Sequence, residues 1–359
     1  MGNSNKHKKE KNTNKKLNNS GKHKNIIEHL DQNNLMNSEF INTDNKFNEN
    51  LNSIEDLIKP TLSFSEYENF LGEYIDDFKI IKIIKKDLIY NIYKAENIKD
   101  NREVSLKVYN KYNLKQGDYD FFLEQIKREE EIIKLCKSPY IINIYRKMEN
   151  NDNIIFEMES WDTNLYDYIK KYGGFTDKLD YFGNIFKQII SALEELNKNG
   201  VMHRDIRPSN LYLIGKEKVK LGGFDQAIYI KENTSESEGS YFYAAPEIIK
   251  NLKYDEKCDL WSLGITLYEL LFNQLPYGKN ATINMIKKSI YYEDIFYYNK
   301  INKNKVNDLF KKLLTICPKN RISHKELFNY INKNLDIFEE KKKSFALVQL
   351  FPLKGNLHS

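Results

Sequence analysis

Cysteine is scarce in this chain. Three residues in 359, Cys136, Cys258 and Cys317, are odd in number and far apart. None belongs to a CxxC pair or a Cys/His cluster, which argues against a structural zinc site and a disulfide framework. Reduced thiols in an intracellular, cytoplasmic protein are the expectation. The N-terminus lacks the apolar core, about 7–15 residues long, of a signal peptide. The most apolar stretch, residues 260–272, is too short to cross a bilayer and contains Glu269, so it reads as a buried helix.

Positive charge is confined to one place. The net charge is +5, yet residues 1–24 hold eight lysines (Lys6, Lys8, Lys9, Lys11, Lys15, Lys16, Lys22 and Lys24) against Glu10, a local +7. The remainder is therefore about −2, which excludes a basic nucleic-acid-binding body. Residues 1–60 are rich in Asn and Lys and poor in periodic apolar residues, so they are expected to be a disordered basic tail. Met1-Gly2 followed by lysines is a partial acylation signal, but Lys6 stands where Ser or Thr belongs. A free tail is expected, with weak membrane contact and membrane association only if Gly2 is acylated.

The 40% hydrophobic and 13% aromatic content is enough for a sizeable core. Pro60 marks a boundary, and a pre-domain segment, 61–77, carries Phe64, Tyr67, Phe70, Leu71 and Tyr74 for a short packed helix. From Phe78 onward, FKIIKII (78–84), NIYKAE (91–96) and EVSLKVYN (103–110) read as strands. A helix follows over 121–135, then strands near 141–147 and 153–158. After Asn164 the pattern is mostly helical, interrupted by β-like LYLI (211–214) and KVKL (218–221). The expectation is an α+β, two-lobed domain over 78–335, with a mainly β small lobe (78–158) and a mainly α large lobe (164–335). Residues 336–359 form a tail whose apolar SFALVQLFPL (344–353) either docks on the large lobe or meets a partner.

The run HRDIRPSN (203–210) closely resembles the protein-kinase catalytic loop, HRDxxxxxN. The resemblance extends through VSLK (104–107), GSYFYAAPE (239–247), CDLWSLG (258–264) and Arg321 in CPKNRIS, covering about residues 77–333. It implies a bilobal kinase fold that uses ATP and Mg²⁺ to phosphorylate a protein hydroxyl, with roles for particular residues. Asp205 would be the catalytic base and Asn210 a metal ligand. Arg207 would stand at the usual catalytic-loop lysine, and Lys107 would reach the phosphates while paired with Glu129. Asp259 would hold the catalytic-loop backbone, and Glu247 would pair with Arg321. His203 and Phe224, with Asp259 and Ile133, would belong to the spine joining the lobes. Ser240 and Arg207 resemble the serine/threonine class. Thr234, Ser235 and Ser237 would be activation-segment phosphosites read by Arg204, or solvated linker.

The pattern breaks where nucleotide and metal would sit. Aligning Ile92 with the glycine-loop valine puts Lys85, Asp87 and Tyr90 at the three glycine positions, where backbone N–H groups should approach phosphates. Asp87 facing a phosphate at ~5 Å would cost roughly 3 kcal/mol at an effective dielectric of about 20, unless Lys85 folded inward to offset it. In VKLGGFDQA (219–227), Gly223 replaces the metal-chelating aspartate. A second register would make Asp225 the chelator. Ser105 replaces the alanine above adenine, Tyr212 replaces an apolar residue of the pocket floor, and Phe156 is a further candidate wall. Together these imply a pseudokinase, a binding or allosteric module whose partner is a protein such as an active kinase, with no ATP or Mg²⁺ required. The alternative is a divergent active serine/threonine kinase using both, with a protein substrate.

Overall fold

The computed structural model describes residues 74–115, 119–232, 240–278, 281–291, 304–334 and 338. The 1–60 tail, most of 61–77, Thr234, Ser235, Ser237 and the 344–353 segment lie outside these described residues.

The first lobe is built on one antiparallel sheet. Strands β1 (Tyr74–Ile75), β2 (Phe78–Lys86), β3 (Tyr90–Asn97), β4 (Glu103–Asn110), β5 (Ile144–Glu149) and β6 (Asn153–Glu159) lie in the order β1-β2-β3-β4-β6-β5. Side chains alternate across it with period two. Phe78, Ile80, Tyr93, Ala95, Val104, Leu106, Val108 and Ile155 form a core on one face. Tyr90, Ile92, Tyr109, Phe156 and Met158 join the main core on the other. Ser105 and Lys107 share the parity of Tyr109 and so face the cleft. Helices α1 (Lys111–Lys115) and α2 (Tyr119–Leu135) cover that side, α2 burying Ile126, Glu129, Ile132 and Ile133.

Two local readings are corrected. Tyr74, assigned by sequence to a short helix, begins β1 instead. Asp76, with φ 50°, turns the chain so that Ile75 pairs with Phe78. Residues 141–143 do not extend β5, because the Ile142 amide donates to the Leu221 carbonyl at 2.9 Å, pinning that stretch to the other lobe.

The second lobe contains β7 (Thr163–Asn164), α3 (Leu165–Tyr172), α4 (Leu179–Lys198), β8 (Val201–Met202), β9 (Leu211–Ile214), β10 (Lys218–Leu221), β11 (Ile228–Tyr229), α5 (Pro246–Ile249), α6 (Lys257–Phe272), α7 (Ile283–Tyr291), α8 (Asn304–Leu313) and α9 (His324–Lys333). Short 3₁₀ turns at Pro208–Asn210 and Phe224–Gln226 flank the β9–β10 hairpin. Helix α6 is buried along almost its whole length, as its apolar sequence requires. Its two buried hydroxyls are each answered, while the Trp261 indole nitrogen has no hydrogen-bond partner among the described residues. Ser262 donates to the Tyr243 carbonyl at 2.9 Å and Thr266 to the Ile206 carbonyl at 3.0 Å. Arg321 grips Glu247 with two parallel bonds of 2.7 and 2.9 Å, both side chains buried. Phe338, beyond α9, packs edge-on against Phe182 and Phe186 of α4. No helix among the described residues is long and apolar enough to cross a membrane.

Candidate active site

The cleft between the lobes collects most of the residues singled out by sequence. From β4, Lys107 reaches both Glu129 oxygens, at 2.7 and 2.9 Å, with both side chains buried. The Tyr109 hydroxyl, two residues on and on the same face, also donates to Glu129. Burial pushes the Glu129 carboxyl up against the pull of Lys107. Burial opposes the Lys107 ammonium too, but the charges of Asp225 and Glu129 outweigh it and raise its pKa.

Below the cleft, Asp259 accepts from the backbone amides of His203 (2.7 Å) and Arg204 (2.8 Å). These two bonds fix the catalytic-loop turn, in which Arg204 adopts φ 64°. Arg204 donates to the Gln226 carbonyl at 2.6 Å and the Tyr254 hydroxyl at 3.0 Å. Phe224 is fully buried and packs edge-on against His203, ring centroids 4.7 Å apart. That contact puts Phe224 against the catalytic-loop histidine and leaves residue 223 beside Asn210.

Gly223 sits in the left-handed region, φ 73° and ψ 51°. A Cβ there would come within 2.5–2.6 Å of the Asn210 carboxamide. Asn210 thus fills the space beside residue 223 and donates to the Asp205 carboxylate at 2.7 Å and its carbonyl at 2.8 Å. Arg207 pairs with the same Asp205 oxygen at 3.1 Å.

A carboxylate nevertheless reaches Lys107. Asp225, two residues later, lies 3.2 Å from the Lys107 ammonium and accepts from the Tyr90 hydroxyl at 3.3 Å. Burial opposes its ionisation, but Lys107 and then Lys85 overcome this and hold its carboxyl well below the usual range. Gly223 thus stands beside Asn210 while Asp225 enters the cleft. Sequence reasoning treated these as alternatives.

The expected glycine loop is a tight β2–β3 turn closed by its own side chains. The Asp87 amide donates to the Asn91 side chain at 3.3 Å, and Asp87 accepts from the Ile89 amide at 3.4 Å. Lys85 bonds the Tyr90 hydroxyl at 2.6 Å and pairs with Asp87 at 3.1 Å, so it does fold inward and offsets that charge. The Tyr90 ring covers the Lys107 ammonium, 4.0 Å from centroid to nitrogen.

At the other end, Tyr212 stacks face to face on Trp161, centroids 4.0 Å apart and planes 2° from parallel. Both are buried. A Cβ on Gly222 would lie 2.2 Å from the Tyr212 ring, so that close approach requires glycine. Ser105, Ile92 and Phe156 lie on the cleft face above, all buried, and the Ser105 hydroxyl has no hydrogen-bond partner among the described residues. Tyr109, Trp161 and Gly222 were missed from sequence. Period-two alternation from Lys107 points to Tyr109, whereas nothing local signals the other two.

The residues present do not fit a magnesium nucleotide as they stand. Residue 223 has no side chain to offer a metal, and of the two usual ligand positions only Asn210 remains, its amide nitrogen donating to Asp205 and its side-chain oxygen lying beside residue 223. The Asp225 carboxylate is held by Lys107 and Tyr90, and the Tyr90 ring lies against Lys107.

A curled antiparallel sheet over a helical lobe, with a buried lysine–glutamate pair facing an HRD loop, defines a kinase-type domain. The protein kinase domain model matches residues 90–331. The chain is 30% identical over 259 residues to the carbon catabolite-derepressing protein kinase of Candida glabrata, covering 71% of this chain and 41% of that protein. It is 30% identical over 284 residues to calcium-dependent protein kinase 5 of Plasmodium berghei (72% and 49%). It is 28% identical over 262 residues to CBL-interacting protein kinase 10 of Oryza sativa (70% and 55%). The chain spans about half the length of these relatives. It belongs to the protein kinase domain family, and the relatives it resembles are named as protein kinases.

Proposed function

We propose that this kinase domain is a pseudokinase, a binding or allosteric module that works through its shape on a protein partner. One observation carries the reading. The Lys107 ammonium, which should hold phosphates, is engaged by Glu129 and Asp225 and roofed by the Tyr90 ring at 4.0 Å. A triphosphate reaching it must move Tyr90 and share the lysine with two carboxylates. A second reading, a divergent active serine/threonine kinase, is favoured by Asp225, which restores a cleft carboxylate lost at 223, and by the intact Lys107–Glu129 pair.

The test is the thermal shift of the full chain with ATP, alone and with Mg²⁺ or Mn²⁺, alongside phosphotransfer assays. Ligand at a hundred times its dissociation constant stabilises a folded protein by about 2.7 kcal/mol. The pseudokinase reading expects no phosphotransfer. Phosphotransfer abolished by Asp205→Asn establishes the active reading instead.

A further inference from the structure

We infer that this chain fills its own nucleotide cleft at both ends, and that Tyr212 with Gly222 is the pair that decides it at the base end. The inference deepens the pseudokinase reading and rests on it, because it names what keeps nucleotide out and what holds the lobes together without one.

At the base end Tyr212 and Gly222 fit one another closely. Tyr212 projects from β9 in the second lobe over residue 222, where any Cβ would meet its ring at 2.2 Å. Gly222 carries no positive φ that would itself demand glycine, so the requirement is the ring. The other Tyr212 face is covered by Trp161, parallel at 4.0 Å, the separation of two stacked aromatics with nothing between. Trp161 follows β6, the strand leading out of the small lobe, and its carbonyl accepts from Lys94 of β3 at 3.4 Å. An aromatic stack anchored to both lobes thus occupies the ground an adenine ring would take.

At the phosphate end Tyr90 does the equivalent. Its ring lies over Lys107 and its hydroxyl joins Lys85 of the small lobe to Asp225 of the large one. The two ties stand at opposite ends of one cleft, and each bridges the lobes as a bound nucleotide would. Burial and the Asp225 charge hold the Tyr90 phenol protonated, so it remains a donor.

Adenosine and ATP separate the two ends. Calorimetry on the full chain compares wild type with Tyr212→Leu/Trp161→Ala and with that pair plus Tyr90→Gly. The double variant is expected to bind adenosine at least tenfold more tightly than wild type. The triple variant is expected to gain ATP affinity at least tenfold beyond its gain for adenosine. A stability cycle needs single and double substitutions only. Gly222→Ala lowers the unfolding midpoint of wild type and does so far less in Tyr212→Leu. Folded variants that bind neither ligand overturn the inference and leave the pseudokinase reading standing. So does wild type that binds adenosine as tightly as the double variant without phosphotransfer. Equal cost of Gly222→Ala in both backgrounds overturns the Tyr212–Gly222 pairing, and phosphotransfer by wild type overturns both readings.

Discussion

Tyr109 donates its hydroxyl hydrogen to Glu129, so the one buried glutamate of α2 is held from two sides of β4's cleft face, by a lysine and by a tyrosine two residues away. The helix is therefore seated without help from nucleotide. Hydrogen bonds to a charged group contribute about 1.5–3 kcal/mol. Tyr109→Phe keeps the ring and its edge contact with Phe156 but removes the donor. Urea unfolding should show a loss of about that size, and an unchanged midpoint would mean that Lys107 alone seats the helix.

Arg321 and Glu247 form a buried, doubly bonded pair over the Trp261 ring, whose centroid is 5.2 Å from the guanidinium carbon. Removing one partner of such a pair leaves an uncompensated charge and costs about 3–5 kcal/mol. Arg321→Met should therefore destabilise severely. Arg321→Met with Glu247→Met should recover about 1 kcal/mol or more of the loss, measured by denaturant titration. Recovery will be incomplete, because Arg321 also donates to the carbonyls of Thr315, Ile316 and Lys257.

His324 opens α9 behind the Ser323–Glu326 capping box and is buried against Phe328. Burial lowers its pKa from 6.5 to about 4, with Asp255 opposing and Lys257 assisting. The unfolded chain accordingly takes up a proton first as pH falls. Stability contributed by the neutral imidazole is present above about 6.5 and lost towards 4, by up to about 3 kcal/mol. Denaturation curves at several pH values between these limits should be steeper in pH for wild type than for His324→Gln. Parallel profiles would show that the histidine does not titrate across folding.

Much of this was legible in the sequence. The strands of the small lobe were read as strands, and Asp259 holds the HRD loop and Glu247 pairs with Arg321 as their motifs imply. The motif losses at Lys85, Asp87, Tyr90 and Gly223 were equally visible. Their consequences were legible only in part. The offset of Asp87 by an inward Lys85 was one of the options and is found, whereas the bond by which Lys85 props Tyr90 was not foreseen. Asp225 was offered as a metal chelator only in a second register, yet it lies beside Lys107, 118 positions earlier in the chain.

Sequence by itself determined the family fold and the position of every motif residue, because periodic burial and short fixed spacings are local properties that each segment carries with it. Only tertiary structure decided what the cleft contains. The Trp161–Tyr212 stack, the space beneath it at Gly222 and the reach of Asp225 to Lys107 all join segments remote in the chain. Such contacts depend on how two lobes close over one another and on side-chain direction at that closure, and no local pattern encodes either.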